Sequence, residues 1–204
     1  LTFSQKESRN MQRAYMEWNP QLAVDHHGQP SQYFFPPTGL PTNPNLPQPV
    51  TAKWEDRYGR ANAAAFDSNK WDYYVRDVFD AFYPGYWDMY PSLNGATGMT
   101  YETDGGGPKG LNWTREDGTI VTFRSSIAKH YVASMTTLET NAKHKVERLK
   151  DFYDFRAKGM AANTGHGSCP VPVQTQEPAR TAPRSPGAHH HPRVRQDPRR
   201  SARR

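Results

Sequence analysis

Two adjacent histidines close an apolar run in the stretch "LAVDHHG", Leu22 to Gly28. A histidine at the end of a strand is well placed to bind a metal, because the strand fixes its backbone and a following glycine leaves room for a substrate. The simpler alternative is a pair of polar residues that cap the strand. Side chains alternate between the two faces of a strand, so only one of His26 and His27 can point into a given site.

A carboxylate has a comparable position further along the chain. Glu102 closes the stretch "ATGMTYE" after apolar neighbours, and such surroundings can raise the pKa of a carboxyl group toward the range that a general base needs. The alternative is an exposed acid that begins a polar loop. In layered α/β domains the ligand site lies where the strands end, so we expect His27 and Glu102 to share one site.

Hydrophobic periodicity predicts the elements that position these residues. A first helix is expected over residues 4 to 18, with Ser4 and Glu7 in capping-box register, and Asn19 and Pro20 end it before the histidine strand. The remaining expected elements are a long proline-rich irregular loop (28 to 49), a helix (about 52 to 67), the strand ending at Glu102, and one long amphipathic helix or two successive helices (about 123 to 155). This order of helices and strands favours an α/β domain.

The composition changes after Arg156 to proline, arginine, serine, glycine and histidine without apolar periodicity, which predicts a disordered tail over residues 157 to 204. This tail carries a surplus of seven positive charges, whereas residues 1 to 156 sum to −1, so the basic character belongs to no folded face and we expect no specific nucleic-acid partner. A frameshifted reading frame is an alternative origin for the tail. Cys169, the only cysteine, leaves the compartment open, and the chain has no apolar run long enough for a transmembrane helix.

Two segments resemble the zinc carboxypeptidases, the metallopeptidases similar to carboxypeptidase A. The first is "WNPQLAVDHHGQPSQYFFPP", which resembles the helix, strand and D-x-H element that supplies the third zinc ligand. The second is "YPGYWDMYPSLNGATGMTYETDGG", which resembles the pocket segment and the strand that ends in the catalytic glutamate. The resemblance covers roughly residues 1 to 156, the C-terminal portion of such a catalytic domain. It implies a mixed, mostly parallel sheet covered by helices, a zinc cofactor and a peptide or amide substrate.

The resemblance also implies roles for individual residues. Asp25, His26 and His27 become the D-x-H element, so His27 is the implied zinc ligand and His26 is the spacer. Glu102 becomes the general base. Tyr86, Trp87 and Asp88 fall in the segment that shapes the specificity pocket, and they are therefore the implied substrate-binding residues.

The family supplies its first two zinc ligands from an upstream H-x-x-E element, which this chain lacks. The match "HKVE", His144 to Glu147, is in the wrong order and is better explained as a salt-bridge pattern on a helix. Since a catalytic zinc normally has three protein ligands, we expect the chain to be inactive alone. The chain begins at Leu1 without an initiator methionine or a signal peptide. It is thus expected to be a fragment of a larger, secreted or periplasmic enzyme, with a degenerate product as the alternative.

Two other function classes stay open. In the first, the chain is a noncatalytic module that binds a peptide or glycan through the aromatic segment at residues 83 to 90, and its histidines are structural. In the second, the arginine-rich tail binds nucleic acid. His27 and Glu102 facing one cleft would favour the enzyme, and opposite faces would exclude it.

Overall fold

The structure, a computed structural model, describes residues 4–77, 79–105 and 110–163. It has the predicted α/β architecture. The helices are α1 (Lys6–Trp18), α2 (Gln48–Ser68), α3 (Met89–Leu93), α4 (Phe123–Lys143) and α5 (Lys145–Asn163). The strands are β1 (Leu22–Gln29), β2 (Tyr33–Phe34), β3 (Tyr73–Tyr74), β4 (Thr97–Asp104), β5 (Asn112–Thr114) and β6 (Ile120–Thr122). None of the described helices is both long and apolar enough to cross a membrane.

The main sheet is mixed and mostly parallel, as predicted, with strand order β1-β4-β2-β3. Strands β1 and β4 run parallel along their whole length, from Leu22 opposite Thr97 to Gln29 opposite Asp104. Strand β2 is parallel to β3 and antiparallel to β4, where Phe34 lies opposite Glu102. Strands β5 and β6 form a separate antiparallel pair.

An aromatic core covers one face of this sheet. It holds β4 through Met99 and Tyr101, which are almost fully buried, and β1 through Leu22 and Val24, which pack against the same cluster. The other buried members are Tyr33, Phe35, Trp54, Tyr58, Phe66 and Ala133. Because alternate residues of a strand point to opposite faces, this anchoring directs Thr100 and Glu102 to the other side of β4.

Strand β2 lies inside the segment that was predicted to be wholly irregular, and that prediction was wrong at Tyr33 and Phe34. Both side chains are fully buried. Tyr33 packs on Phe66 with ring centroids 4.7 Å apart, and Phe34 stacks on Phe79 at 4.6 Å. A strand of two residues is too short for a period-2 pattern, so tertiary contacts determine its conformation.

The ends of α1 agree only in part with the sequence pattern. The helix begins at Lys6, with Gln5 at the N-cap and no side-chain capping hydrogen bond, so the predicted capping box of Ser4 and Glu7 is wrong. The predicted stop at Asn19 is confirmed. Asn19 is in the left-handed region with φ of 48°, and its amide donates to the Tyr15 carbonyl at 2.7 Å, which is a common way to end a helix.

The long periodic stretch forms two helices, α4 and α5, and α5 continues to Asn163, past the predicted domain end at residue 156. The predicted tail beyond residue 163, including Cys169, lies outside the described residues. The apolar stripe that marks α4 in the sequence is exposed; its members are Ile127, Tyr131, Met135 and Leu138. The buried residues of α4 are mostly polar: Ser126, Lys129, Ala133 and Thr137.

Hydrogen bonds explain why a polar face of α4 can be buried. Thr137 is within 2.6 Å of the Tyr101 hydroxyl, and Asn62 of α2 donates to both hydroxyl groups. Further along α4, the Lys129 ammonium lies 2.6 Å from the carboxylate of Asp104, which is completely buried at the end of β4. These contacts fasten α4 to the strand that carries Glu102.

The ion pair between Lys129 and Asp104 gives a test of this anchoring. We expect Lys129→Met to lower the free energy of unfolding by about 3 kcal/mol. The substitution removes the nearer cation, so the buried Asp104 carboxylate keeps only the more distant Arg115, at 3.4 Å. Urea unfolding measures the change. Lys150→Met, which removes an exposed pair with Asp154 on α5, is the matched control, and we expect no measurable loss of stability from it. A double variant Lys129→Met/Asp104→Asn as unstable as the single variant would contradict this explanation.

Candidate active site

The paired ends of β1 and β4 bring the two predicted chemical groups together. His27 lies directly opposite Glu102 in the parallel ladder, and its Nδ1 atom is 3.7 Å from the Glu102 Oε1 atom. Both residues line one cavity of about 240 Å³. They therefore face a common cleft, the arrangement that the sequence analysis associated with an enzyme.

His26 points to the opposite face of β1, as strand alternation predicts. Its Nε2 atom is 2.8 Å from the Ser134 hydroxyl of α4, and its ring is 4.7 Å from that of His130. Burial lowers the pKa of His26, which favours the neutral ring. His26 thus contributes to contacts between β1 and α4 and lies away from the cleft.

Asp25 holds the His27 ring from the other side. Its carboxylate lies on the same face of β1, two residues earlier, with Oδ2 at 3.1 Å from the His27 Nε2 atom. The half-exposed imidazole therefore stands between two carboxylates, Asp25 at Nε2 and Glu102 at Nδ1. Asp25 was predicted only as the first residue of the D-x-H element, although its i−2 position on β1 already places it on the His27 face.

Glu102 has the surroundings of a carboxyl group that holds its proton more tightly than usual. Only 15% of its side chain is exposed, and its Oε2 atom is buried without a hydrogen-bond partner. Burial raises its pKa, His27 counteracts this, and the negative charges of Asp25 and Asp88 raise it further. A carboxylate with a raised pKa is better suited to accept and release a proton near neutral pH.

The segment before β4 brings the three predicted pocket residues to the same cavity. Tyr86, Trp87 and Asp88 all line it. Tyr86 is exposed at the rim, while Trp87 packs edge to face on Tyr15 of α1 at 5.9 Å. Asp88 is only 5% exposed, and its Oδ2 atom accepts a hydrogen bond from the Thr100 hydroxyl at 2.9 Å.

A glycine allows this segment to approach the sheet. A Cβ atom on Gly98 would lie 1.8 Å from the Asp88 carbonyl oxygen, so any other residue would push the segment away from β4. The Ser92 hydroxyl completes the contact, because it donates to the Asp88 carbonyl and accepts from the Gly98 amide, at 2.8 and 2.9 Å. The position of Asp88 relative to Glu102 therefore depends on backbone contacts.

Three further residues line the cavity without having been predicted: Phe79, Asp80 and Thr100. Thr100 could have been found, since it is two residues before Glu102 on the same strand and so on the same face. Phe79 and Asp80 come from a connection without regular structure, and no periodicity in the sequence indicates where such a segment runs.

The described side chains that line the cavity form an incomplete donor set for zinc. Among the described residues that line the cavity, His27 is the only imidazole. The described part of the chain also contains no group of three or more histidine, cysteine, aspartate or glutamate residues that could hold a metal ion. These residues alone therefore do not complete a zinc site. The "HKVE" match does not add ligands here, since Glu147 pairs with Lys53 and Arg57 of α2 at 2.9 and 2.6 Å. Glu147 therefore forms salt bridges, but these join α5 to α2 and do not lie along one helix as the sequence pattern predicted.

Comparisons with protein-family models, with curated proteins and with solved structures found no match for this chain.

The two cavity carboxyl groups predict a specific pH dependence of stability. Burial raises the pKa of both Glu102 and Asp88 above the unfolded-chain values, so their ionisation destabilises the folded state as the pH rises. We expect Glu102→Gln and Asp88→Asn each to stabilise the protein by about 1 kcal/mol at pH 7 to 8. The gain should shrink as the pH falls and the wild-type carboxyls become protonated.

Urea unfolding at several pH values measures this effect, with the exposed Glu139→Gln as the charge-matched control. A gain that is independent of pH, or equal in the control, would contradict the assignment of these two carboxyls as buried and poorly compensated.

Proposed function

We propose that this chain carries part of the catalytic site of a zinc-dependent, metallocarboxypeptidase-like hydrolase that cleaves a peptide or amide bond. The observation that supports this most strongly is the pairing of His27 with Glu102 at the ends of two adjacent parallel strands, with 3.7 Å between Nδ1 and Oε1 in one cavity. Sites of this kind lie at the carboxyl ends of parallel strands. The resemblance of the two sequence segments to the zinc carboxypeptidases supports the same class.

Glu102 is the proposed general base. Its raised pKa and its position on the cavity wall suit it to take a proton from the water molecule that attacks the scissile carbonyl carbon. The C–N bond then breaks, and the same proton passes from Glu102 to the leaving nitrogen. Glu102 thereby returns to its ionised state, and the net reaction is the addition of one water molecule across the bond.

His27 is the proposed metal ligand contributed by this chain. Asp25 would orient it, since a carboxylate on one ring nitrogen fixes the tautomer and leaves the other nitrogen free for the metal. When bound, zinc supplies a Lewis acid that polarises the carbonyl and lowers the pKa of water. The proposal requires further zinc ligands from outside the described residues, so the chain alone is expected to bind zinc weakly and to be inactive.

A zinc titration followed by NMR of the histidine ring nitrogens tests the proposal on the whole chain. His189, His190 and His191 should be replaced by alanine in all samples, so that they do not bind the metal adventitiously. We expect His27 to shift at lower zinc concentrations than His26. Asp25→Asn should weaken the binding about tenfold, as loss of a supporting hydrogen bond commonly does.

His27→Ala and His26→Ala form the matched pair for this titration. Zinc bound at His27 should also shift the NMR signals of the neighbouring Glu102. His27→Ala should abolish these shifts, and His26→Ala should leave them unchanged. If zinc perturbs other residues while the His27 ring and Glu102 stay unchanged, the proposed function is wrong.

A noncatalytic module that binds a peptide or glycan is the second candidate. The observation that favours it is the exposed aromatic pair of Tyr83 and Tyr86, whose rings meet edge to face at 5.3 Å. The predicted aromatic segment is not wholly available, because Trp87 and Tyr90 pack against Tyr15. An aromatic surface of two rings could still stack on a sugar or a peptide side chain.

The two candidate functions predict different effects of the same substitutions. For a binding module, Tyr83→Ala combined with Tyr86→Ala should reduce binding on a peptide or glycan array at least tenfold, and His27→Ala should leave it intact. Array binding that is absent, or that persists in the double tyrosine variant, would contradict the second candidate.

A further inference from the structure

A second cavity lies where β4 begins, at the opposite end of this strand from Glu102. Its volume of about 400 Å³ is within the usual range for a small-molecule site. The residues that open β4 form one wall, the first turn of α2 forms another, and α5 forms a third. The wall from α5 is one continuous helix face, because its members recur every three or four residues: Arg148, Asp151, Phe155, Lys158 and Gly159. We call this space the α5 cavity.

Arg148 is the residue of the α5 cavity that indicates a ligand. Only 2% of it is exposed. Its guanidinium group donates to the Thr97 hydroxyl at 2.8 Å and to the Gly95 carbonyl at 2.7 Å, and both acceptors are neutral. The Nε atom is buried and has no hydrogen-bond partner. Because a guanidinium group carries five N–H donors in a planar fork, these two bonds leave part of the fork unused.

The charge of Arg148 is also poorly compensated. A buried charge is normally paired with an opposite one, but the two carboxylates of the α5 cavity pair with other cations. Asp151 lies 2.5 Å from the Lys53 ammonium, and Asp154 pairs with Lys150. Asp151 still favours the charged form of Arg148, yet burial outweighs this and lowers the pKa of Arg148. The guanidinium group is thus left with neutral partners.

The surroundings of Arg148 combine positive potential with apolar surface. Helix α2 begins at the cavity with no acidic residue in its first turn and no side-chain cap, so the positive end of its dipole is not neutralised there. Lys158 adds an exposed ammonium group. The apolar part of the lining comes from Val50, Ala96 and Phe155. Such a lining suits an anion that carries an apolar body.

The geometry and charge of the α5 cavity favour a carboxylate over a phosphate. The planar fork of an arginine matches the two oxygens of a carboxylate. A phosphate monoester carries nearly two negative charges at neutral pH, and it would be repelled more strongly by Asp151 and Asp154, which line the same space. A singly charged carboxylate meets less of this repulsion.

We propose that the α5 cavity binds a small organic carboxylate, whose charged group pairs with Arg148 and whose apolar body packs on Val50 and Phe155. This ligand site does not depend on the proposed zinc-dependent function, because it uses none of the residues around His27 and Glu102. A bound carboxylate would contact α2, α5 and the start of β4 together, and it should therefore stabilise the folded chain.

A pair of small probes tests the α5 cavity. 4-Methylpentanoate and 4-methylpentanamide have the same stem and nearly the same shape, but only the first is charged. Titrated into the ¹⁵N-labelled whole chain, the carboxylate should bind about tenfold more tightly, because its hydrogen bonds to a guanidinium group are charge-assisted. It should shift the amides of Gly95, Ala96 and Thr97 and the Nε–H signal of Arg148.

Three results of this titration would overturn the proposal. The first is equal affinity for the two probes, and the second is a set of shifts that omits Arg148 and the start of β4. The third is tighter binding of inorganic phosphate than of 4-methylpentanoate, which would contradict the assignment to a carboxylate.

Matched variants assign the effect to the guanidinium fork. Arg148→Lys keeps the positive charge and loses the fork, so it should weaken binding of 4-methylpentanoate about tenfold and leave the amide probe nearly unchanged. Lys145→Gln removes an exposed charge from the same helix outside the cavity lining and should have no effect. Wild-type affinity in a folded Arg148→Lys variant would contradict the role of Arg148.

Gly159 provides a variant that tests the cavity without altering Arg148. A Cβ atom at this position would meet no atom within 4 Å, so both Gly159→Ala and Gly159→Leu should fold. The leucine side chain should fill part of the apolar space and weaken binding of 4-methylpentanoate about tenfold, whereas alanine should leave it nearly unchanged. Equal affinity in the wild type and in both variants would show that the carboxylate binds elsewhere.

Discussion

The parallel pairing of β1 with β4 is the constraint on which the candidate site depends. Eight consecutive residue pairs fix the register, and within it His27 lies opposite Glu102. A shift of one residue would turn His27 to the other face and bring His26 into the cleft. The register is held from the core side by Leu22 and Val24 of β1 and by Met99 and Tyr101 of β4. Hydrophobic burial on one face thus determines which polar groups meet on the other.

The polar side of β1 and β4 contributes less to the stability of the fold than the side that packs on the core. It combines a buried, poorly compensated Asp88 with the Glu102 carboxyl. Burial raises the pKa of both groups, and repulsion by neighbouring carboxylates raises it further. The contrast with Asp104 at the end of the same strand is informative, because Asp104 is equally buried but lies 2.6 Å from the Lys129 ammonium. The buried Asp104 therefore has a cationic side chain beside it, whereas the described residues that line the cavity around Asp88 include no lysine or arginine. Unfavourable local electrostatics of this kind are common at functional sites.

Much of the fold could be predicted from the sequence, since β1, β4 and the helices α1, α2, α4 and α5 produce clear periodic or apolar patterns. Strand alternation also predicted that His26 and His27 would separate. Strand β2 could not be found, because its two residues form a strand only through contacts with β3 and β4. The prediction of a capping box at the start of α1 was wrong because the helix begins later than the predicted cap. Helix α4 exposes its apolar stripe and buries polar side chains that form a hydrogen-bond network. Hydrophobic periodicity in the sequence does not predict such a network.

The roles of His27, Glu102 and the pocket residues stay proposals, but their common cleft has a direct test in the electrostatic coupling between the two strand ends. A carboxyl-carbon NMR titration should compare the pKa of Glu102 in the wild type, in His27→Gln and in His26→Gln. Because His27 lowers the pKa of Glu102, its loss should raise that pKa, whereas the loss of His26 on the opposite face should leave it unchanged. A Glu102 pKa that is insensitive to His27→Gln, or that responds equally to His26→Gln, would contradict the account.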